Sequence, residues 1–505
     1  GGALLPILTG AAPDGCAPRL QAHCSQVPSV NWARSQRRVH PGRSASFTRV
    51  ATLGCMTVDA PGTDPMSQPV GDAPASGGSF RSPLLTDLHA RGLIADSTDL
   101  DSLDRRLSEG PITLYCGFDP TADSLHAGHL QQLMTLARFA RAGHRALVLV
   151  GGATGRIGDP SGRDTERPLL DDDTLDANVA AIRAQASKFV DVSEPGTMVN
   201  NLDWSAGLDL LGFLRDVGKH VTVSSMLARD SVRSRMDRSE GISFTEFSYQ
   251  LLQANDFLTL YRSEDCELQV AGTDQWGNIT AGIDLVRRVE GASLHGLTTP
   301  LIVRSDGKKF GKSVGGAIWL SAEQTSPYAF YQYWMQIPDD DVEALLLRLT
   351  WLDIEVIDAI VSEHFAQPHR REGQRRLAHQ LTSLVHDEQA ARSAAIASEV
   401  LFGGDPAGLD RDTLGMLAVE LETTNVTVDE LADGLDAADT FVRAGLARSK
   451  GEVRKNASGF RVNGQPCDLA EPLDRHALLD GAAILLSHGK RQHRLVVLRD
   501  GITVG

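Results

Sequence analysis

The sequence predicts an α/β protein in three parts: a parallel-sheet domain with an insertion, an all-α domain, and a small α+β module. Three observations carry that prediction. Ala146-Leu147-Val148-Leu149-Val150 is a continuous apolar run of the kind a parallel sheet buries on both faces. Residues 114–130 read as an apolar strand, a loop marked by Gly117 and Pro120, and a helix start. Residues 325–421 carry no clear strand signal. Residues 441–500 then hold eleven Lys/Arg against six Asp/Glu, a local excess of five in a chain of net charge −16.

Composition bounds what such a chain can do. Its 505 residues leave room for two or three domains. The acidic balance argues against a chain-wide nucleic-acid surface, so RNA contact must come from a local basic patch. The cysteines at 16, 24, 55, 116, 266 and 467 show neither metal-ligand spacing nor a disulfide framework, so no metal site is expected. That usage fits a reducing, cytoplasmic compartment. No apolar run approaches the ~18–20 residues of a membrane span, and no membrane partner is expected.

Residues 1–82 are rich in Ala, Pro, Gly and Ser with little periodicity, and are expected to form a disordered extension. Residues 1–50 carry six arginines and a single acid, Asp14. That balance fits an organelle transit peptide or translation upstream of the natural start, with Met56 and Met66 as candidate starts. The second reading is the expectation.

Ordered structure is expected from Pro83, with short helices over Leu84–Arg91 and Leu100–Glu109. Ile112–Tyr115 should be a strand that breaks at Gly117, and Pro120 with residues 121–124 should open a helix through Arg141. A strand feeding a helix N-terminus gathers free N–H groups and the helix dipole, which suits an anion. His126 and His129 would share one helical face, with Gly128 leaving room for a flat ligand. The bare His-x-Gly-His fits a solvated helix face equally well.

The glycines of residues 151–158 lack the Gly-x-Gly-x-x-Gly spacing. They are expected to turn the backbone at the end of a strand, where open α/β sheets bind ligands. Asp159 there suits a substrate ammonium or a loop cap. Arg163 and Arg167 follow on a polar segment. Val179–Phe189 reads as a helix, Met198–Asn201 as a strand, and Leu210–Val217 with Val221–Leu227 as an inserted segment.

Tyr249, Gln253 and Asp256 recur at i, i+4 and i+7, giving an apolar helix a polar face that meets solvent or lines a pocket. The strand Glu267–Ala271 delivers Gly272, Asp274 and Gln275. Pro300–Val303 is expected as a strand leading into Lys309-Phe310-Gly311-Lys312-Ser313, whose lysines suit phosphates or plain surface. Ser326-Pro327-Tyr328 caps a helix, and Val342–Leu349, Glu372–Val385 and Gln389–Leu401 continue the helical period. Glu420–Thr427 reads as a linker, Leu446–Lys455 as a basic helix start, and Gly459–Gly464 as a strand entering a turn.

Residues 120–129, Pro-Thr-Ala-Asp-Ser-Leu-His-Ala-Gly-His, resemble the ATP-binding signature of class I aminoacyl-tRNA synthetases. The preceding Leu-Tyr-Cys-Gly-Phe-Asp of residues 114–119 and the stretch 241–256 resemble the tyrosyl branch. Residues 309–313 resemble the second class I signature, departing from its commoner Lys-Met-Ser-Lys-Ser form in a way that branch tolerates. The C-terminal pieces resemble the small RNA-binding domain named after ribosomal protein S-four. The resemblance covers about residues 83–500.

It implies a Rossmann-like catalytic domain over residues 83–324 with a dimer-interface insertion. An α-helical anticodon-proximal domain over 325–421 and an S-four-like RNA-binding domain over 427–505 would follow. In the amino-acid pocket, Tyr115 and Asp256 would meet the phenol of tyrosine, Asp159, Tyr249 and Gln253 its ammonium, and Gln275 its carboxyl region. Thr121, His126, Lys309 and Lys312 would bind the outer phosphates of ATP, and His129 with Gly128 would support the nucleotide. Cys116 and Asp274 would hold the ribose, with Gly117, Asp119, Gly272 and Ser313 completing the ATP site. Arg448, Lys450, Arg454, Lys455 and Arg461 would contact tRNA.

The implied reaction joins L-tyrosine to tRNA(Tyr) through tyrosyl-adenylate. ATP is a substrate carrying magnesium on its phosphates, no organic cofactor takes part, and the enzyme is a homodimer. Three rivals share parts of the pattern. A tryptophanyl enzyme would not need the Tyr115/Asp256 pair or the RNA module. A synthetase-derived RNA-binding or splicing factor would not need intact signatures. A small-molecule nucleotidylyltransferase would lack the helical domain.

Overall fold

The computed structural model describes residues 80–159, 170–191, 197–236, 241–305, 310–313 and 316–499, with the backbone alone at Asp230, Ser231, Ser234, Lys312 and Ser313. Residues 1–79, Arg163, Arg167, Lys309 and the side chains of Lys312 and Ser313 therefore lie outside the described residues.

The chain opens with helices α1 (Pro83–Ala90) and α2 (Leu100–Glu109), flanking a two-residue strand β1 (Asp96–Ser97). Strand β2 (Thr113–Phe118) leads through a loop to α3 (Leu130–Arg141), β3 (Arg145–Val150), α4 (Asp172–Ala186) and β4 (Met198–Asn200). The insertion holds α5 (Leu202–Ser205), α6 (Leu210–Asp216), α7 (Val223–Leu227) and α8 (Asp230–Met236). The second half adds α9 (Phe244–Glu264), β5 (Cys266–Gly272), α10 (Trp276–Glu290) and β6 (His295–Thr299).

These strands form one sheet in the order β1-β6-β5-β2-β3-β4, parallel except for the β1 edge. Strand order runs outward in both directions from the β2/β5 pair. The crevice beyond the carboxyl ends of those two strands is therefore the topological switch point where such sheets bind ligands. The run 146–150 is buried throughout, as its uninterrupted apolar character requires. Side-chain caps start several of these helices: Asp99 caps α2, Asp171 caps α4 and Ser243 caps α9.

Three local expectations are corrected. Strand β2 runs through Gly117 and ends at Phe118. The helix expected from Pro120 begins as a single 3-10 turn at Ala127, because residues 119–125 are drawn into side-chain contacts with the rest of the site. Residues 300–303 are not a strand: Pro300 has no N–H to continue the ladder, and β6 stops at Thr299.

A short hairpin, β7 (Lys312–Ser313) with β8 (Gly316–Ala317), precedes five helices that stack as a layer. They are α11 (Pro327–Met335), α12 (Val342–Leu349), α13 (Ile354–Ala366), α14 (Glu372–Val385) and α15 (Glu388–Leu401), with α16 (Arg411–Glu420) alongside. Their buried Phe330, Trp334, Leu346 and Leu381 join the same apolar core as Leu114, Leu130 and Val148 of the sheet domain. Arg138 of α3 donates to the Thr350 carbonyl at 2.6 Å, and Arg91 to the carbonyls of Leu347 and Leu352 at 3.2 and 3.0 Å. Asp87 pairs with both arginines at 2.7 and 3.2 Å.

The chain then forms β9 (Thr423–Val426), α17 (Val428–Asp433), α18 (Ala437–Arg443), α19 (Lys450–Lys455), β10 (Phe460–Val462), β11 (Gln465–Pro466), β12 (Ala483–His488) and β13 (Gln492–Leu498). The expected linker is thus a strand: β9 pairs parallel with β13 at the edge of the sheet β11-β10-β12-β13-β9. Leu485, Leu495 and Val497 of this sheet share an apolar cluster with Val400, Leu414 and Leu417 of α15 and α16.

Candidate active site

The carboxyl ends of β2, β3 and β5, the loops after them and one face of α9 enclose a cavity of about 350 Å³. Into it come Tyr115, Cys116, Gly117, Asp119, Thr121, His126, Gly128, His129, Asp159, Tyr249, Gln253, Asp256, Gly272, Asp274 and Gln275. Residues from four separate stretches of the sequence thus meet in one place. The polar face of α9 lines the pocket instead of meeting solvent, so of the two readings open for it the pocket one holds.

At the buried end, Asp256 accepts hydrogen bonds from the Trp204 indole N–H at 2.9 Å and the Asn201 amide at 3.0 Å. Burial pushes its carboxyl up to about 7, with Asp119 pushing the same way and the two donors pulling down. Tyr115 is buried beside it and packs edge-on against Phe257, with ring centroids 5.3 Å apart. Burial, reinforced by Asp256, raises the Tyr115 phenol well above its ordinary value, so it stays protonated and able to donate. Its hydroxyl has no protein hydrogen-bond partner, and neither has Oε1 of the buried Gln269, its neighbour across the β2/β5 ladder. Buried polar atoms left open in this way want a polar ligand group.

A second network closes the middle of the cavity. The Tyr249 hydroxyl donates to Asp119 at 2.9 Å, Thr154 donates to the other oxygen of Asp119 at 2.8 Å, and Asn201 reaches Thr154 at 3.0 Å. Asp119, expected at the nucleotide, is therefore also the acceptor that fixes Tyr249. Gln275 donates to Asp159 at 2.8 Å and lies 3.5 Å from the Gln253 amide. Gly151 is needed for space: a Cβ there would collide with the Asp119 carboxylate, while its backbone φ is ordinary.

The outer wall is the residue 126–129 turn. His126 is extended rather than helical and caps the turn, its Nδ1 accepting from the Gly128 N–H at 3.1 Å. His129 Nδ1 accepts from the His126 N–H at 3.1 Å, and the two rings stack with centroids 3.9 Å apart. The reciprocal caps, not helical spacing, bring the histidines together. Each neutral ring therefore carries its proton on Nε2, which makes it a donor toward an anion. A Cβ on Gly128 would come within 2.8 Å of the His126 ring. Burial pushes the Cys116 thiol up to about 12, with Asp274 adding to it, so it is a neutral group rather than a nucleophile.

Asn201, Trp204, Thr154 and Gln269 are site residues that the sequence reading missed. Gln269 left a signal, a lone amide within the buried strand Leu268–Ala271. The others left none. Among the described residues, no group of three or more His, Cys, Asp or Glu side chains converges as a metal cage. No described helix is long and apolar enough to cross a membrane.

Away from the cavity, Arg448, Arg454, Lys455 and Arg461 are exposed on and around α19 and β10. Lys450 is half-buried and paired with Asp439 at 3.0 Å and Asp436 at 3.8 Å, so its charge is already partly committed.

Residues 107–403 match the family model of class I tRNA synthetases of the W and Y type. The chain is 50% identical over 422 residues to a tyrosine–tRNA ligase of Anaeromyxobacter dehalogenans, covering 82% of this chain and 99% of that one. It is 49% identical over 433 residues to a tyrosine–tRNA ligase of Nocardia farcinica, covering 83% and 99%. Among solved structures, a C-terminally truncated mitochondrial tyrosyl-tRNA synthetase of Aspergillus nidulans superposes with a TM-score of 0.57 at 34% identity, covering 63% of this chain and 94% of that one.

Proposed function

This chain belongs to the class I tRNA synthetases of the tryptophan and tyrosine type, and we infer from that premise and its pocket that it is a tyrosine–tRNA ligase. The single observation that carries the amino-acid specificity is the buried end of the cavity, where Asp256 stands beside a Tyr115 hydroxyl without a partner. A phenol placed there satisfies both. Phenylalanine would leave the Tyr115 hydroxyl buried without a partner and offer Asp256 no donor of its own. An indole has its N–H at a different reach and does not favour the tryptophan reading.

The reaction has two steps. The carboxylate of tyrosine attacks the α-phosphorus of ATP, the bond to the bridging oxygen breaks, and pyrophosphate leaves behind tyrosyl-adenylate. The 3′-terminal ribose hydroxyl of tRNA(Tyr) then attacks the acyl carbon, and AMP departs. No side chain needs to form a covalent bond, so positioning and charge stabilisation supply the rate.

In this reading Asp159, Tyr249 and Gln253 hold the ammonium, and Gln275, tied to Asp159, guides the carboxyl group. Thr121, the Nε2–H donors of His126 and His129, and Lys309 and Lys312 meet the phosphates as the leaving group separates. Cys116 and Asp274 hold the ribose, with Gly117, Gly128, Gly272 and Ser313 shaping the ATP site. Magnesium enters on the ATP phosphates and is held there.

The small C-terminal sheet with Arg448, Arg454, Lys455 and Arg461 contacts tRNA, and Lys450 contributes less because it is paired. The insertion exposes Leu210, Leu211 and Val223, and the start of α9 exposes Phe244, each more than 60% accessible, which supports a second copy packing there. Sedimentation that stays monomeric at micromolar concentration would remove the dimer from this reading. The place of action is the cytoplasm. Charging of tRNA(Tyr) with labelled tyrosine tests the whole assignment: acid-stable transfer to tRNA is expected, and adenylate formation without transfer would limit the chain to the first step.

A further inference from the structure

Gly311, in the turn of the second signature, sits at φ +72°, a left-handed conformation that suits glycine. Its backbone N–H donates to the Tyr333 hydroxyl at 2.8 Å. Tyr333 belongs to α11 of the helical layer and is buried. A Cβ on Gly311 would lie 3.2 Å from the Gly128 nitrogen, so the turn rests directly on the histidine signature. Phe310 meets Tyr333 edge-on at 6.1 Å between centroids and tilts against Trp334 at 5.8 Å. The Gly311 carbonyl accepts from the Ile318 N–H at 2.8 Å, and the Ile318 carbonyl accepts from the Ala127 N–H at 2.8 Å.

The two signatures are thus joined by one short ladder through Ile318, and Gly311, at one end of it, has its N–H left over. That donor is buried and is met by a side chain from a different layer of the fold. We propose that Tyr333 is a positioning residue for the phosphate-binding turn, its hydroxyl fixing the Gly311 amide and so the backbone that presents Lys312 to the pyrophosphate. The proposal rests on the tyrosine-activation reading above. It also accounts for the Phe-Gly form of the signature: Phe310 fills a slot made by Tyr333 and Trp334, and residue 311 must be left-handed and without a side chain.

Phenylalanine at 333 would keep the ring contacts but remove the acceptor, leaving a buried N–H unpaired. The turn then spends less time in the competent geometry, and the loss falls on the chemical step, where the phosphate contacts strengthen. Tyr333→Phe should therefore lower the rate of adenylate formation per titrated active site roughly three- to tenfold. Tyrosine affinity, by equilibrium dialysis, should stay within about twofold. With Lys312→Ala already present, the same substitution should change the rate less than about twofold, because its effect passes through that backbone.

A rate within about twofold of the unsubstituted protein overturns the proposal. So does an equal loss in both backgrounds, which would mark a general packing effect. If the unsubstituted protein shows no tyrosine-dependent exchange, the activation reading itself fails, and the proposal fails with it before any variant is made.

Discussion

Trp204 holds Asp256 from outside the sheet: its indole N–H lies 2.9 Å from the carboxyl, although 52 residues separate the two. Trp204 stands on the short helix α5, at the start of the inserted segment. The insertion therefore reaches back to fix the group that the proposed reading assigns to the substrate phenol. A hydrogen bond to a charged group contributes ~1.5–3 kcal/mol. Trp204→Phe should then raise the tyrosine KM roughly tenfold and reduce the preference for tyrosine over phenylalanine by a similar factor. Unchanged steady-state constants for both amino acids would contradict this.

Asp256 also makes the free protein sensitive to pH. Its folded value of about 7 lies above the ordinary 3.8, so the folded state holds this proton more tightly than the unfolded state does. The stability it confers is full below the unfolded value and is lost as pH rises through the folded one, between about 4 and 7. Asp256→Asn removes that titration. Relative to the unsubstituted protein, its Tm should be higher at pH 8 than at pH 5. A Tm difference independent of pH over that range would show that the carboxyl is ionised throughout.

Arg138 joins the sheet domain to the helical layer through Thr350 and is held from its own side by Asp87 of α1. Burial pushes its guanidinium down to about 10, with neighbouring Arg91 and Arg141 pushing the same way and Asp87 opposing. Arg138→Ala strands the Thr350 carbonyl and weakens the hold on Asp87. A loss on the order of 2–3 kcal/mol in urea unfolding is expected. A change below ~0.5 kcal/mol would mean that water replaces these bonds without penalty.

Removal of residues from Thr427 onward should abolish tRNA charging and spare tyrosine activation, because among the described residues none that lines the cavity lies beyond Leu301, and the proposed ATP site ends at Ser313. The shared cluster adds a second consequence: Val400, Leu414 and Leu417 lose their cover, so Tm should fall by several degrees. In the full chain, Arg454→Ala and Lys455→Ala should each lower the salt slope of tRNA binding by about one. Intact charging by the truncated chain would contradict the RNA-binding role of the small sheet.

Much of this was legible because the signals were local. The run 146–150 announced a buried strand, and the spacing of Tyr249, Gln253 and Asp256 put three polar groups on one face. The face alone did not decide between pocket and solvent, and only resemblance tipped it. Asn201 and Trp204 were illegible because their partner lies more than fifty residues away and their surroundings carry no period. His126 and His129 were rightly paired for the wrong reason, since helical spacing was assumed where reciprocal caps act. The β9 strand was missed because an edge strand of four residues is made by its partner, β13, more than by its own sequence.

ATP–pyrophosphate exchange, run with each amino acid in turn and without tRNA, asks whether the cavity activates tyrosine. Exchange that depends on tyrosine and is lost in Asp256→Ala is the predicted result. Exchange with tryptophan, or tyrosine exchange indifferent to Asp256, would contradict the assignment of that carboxyl to the phenol.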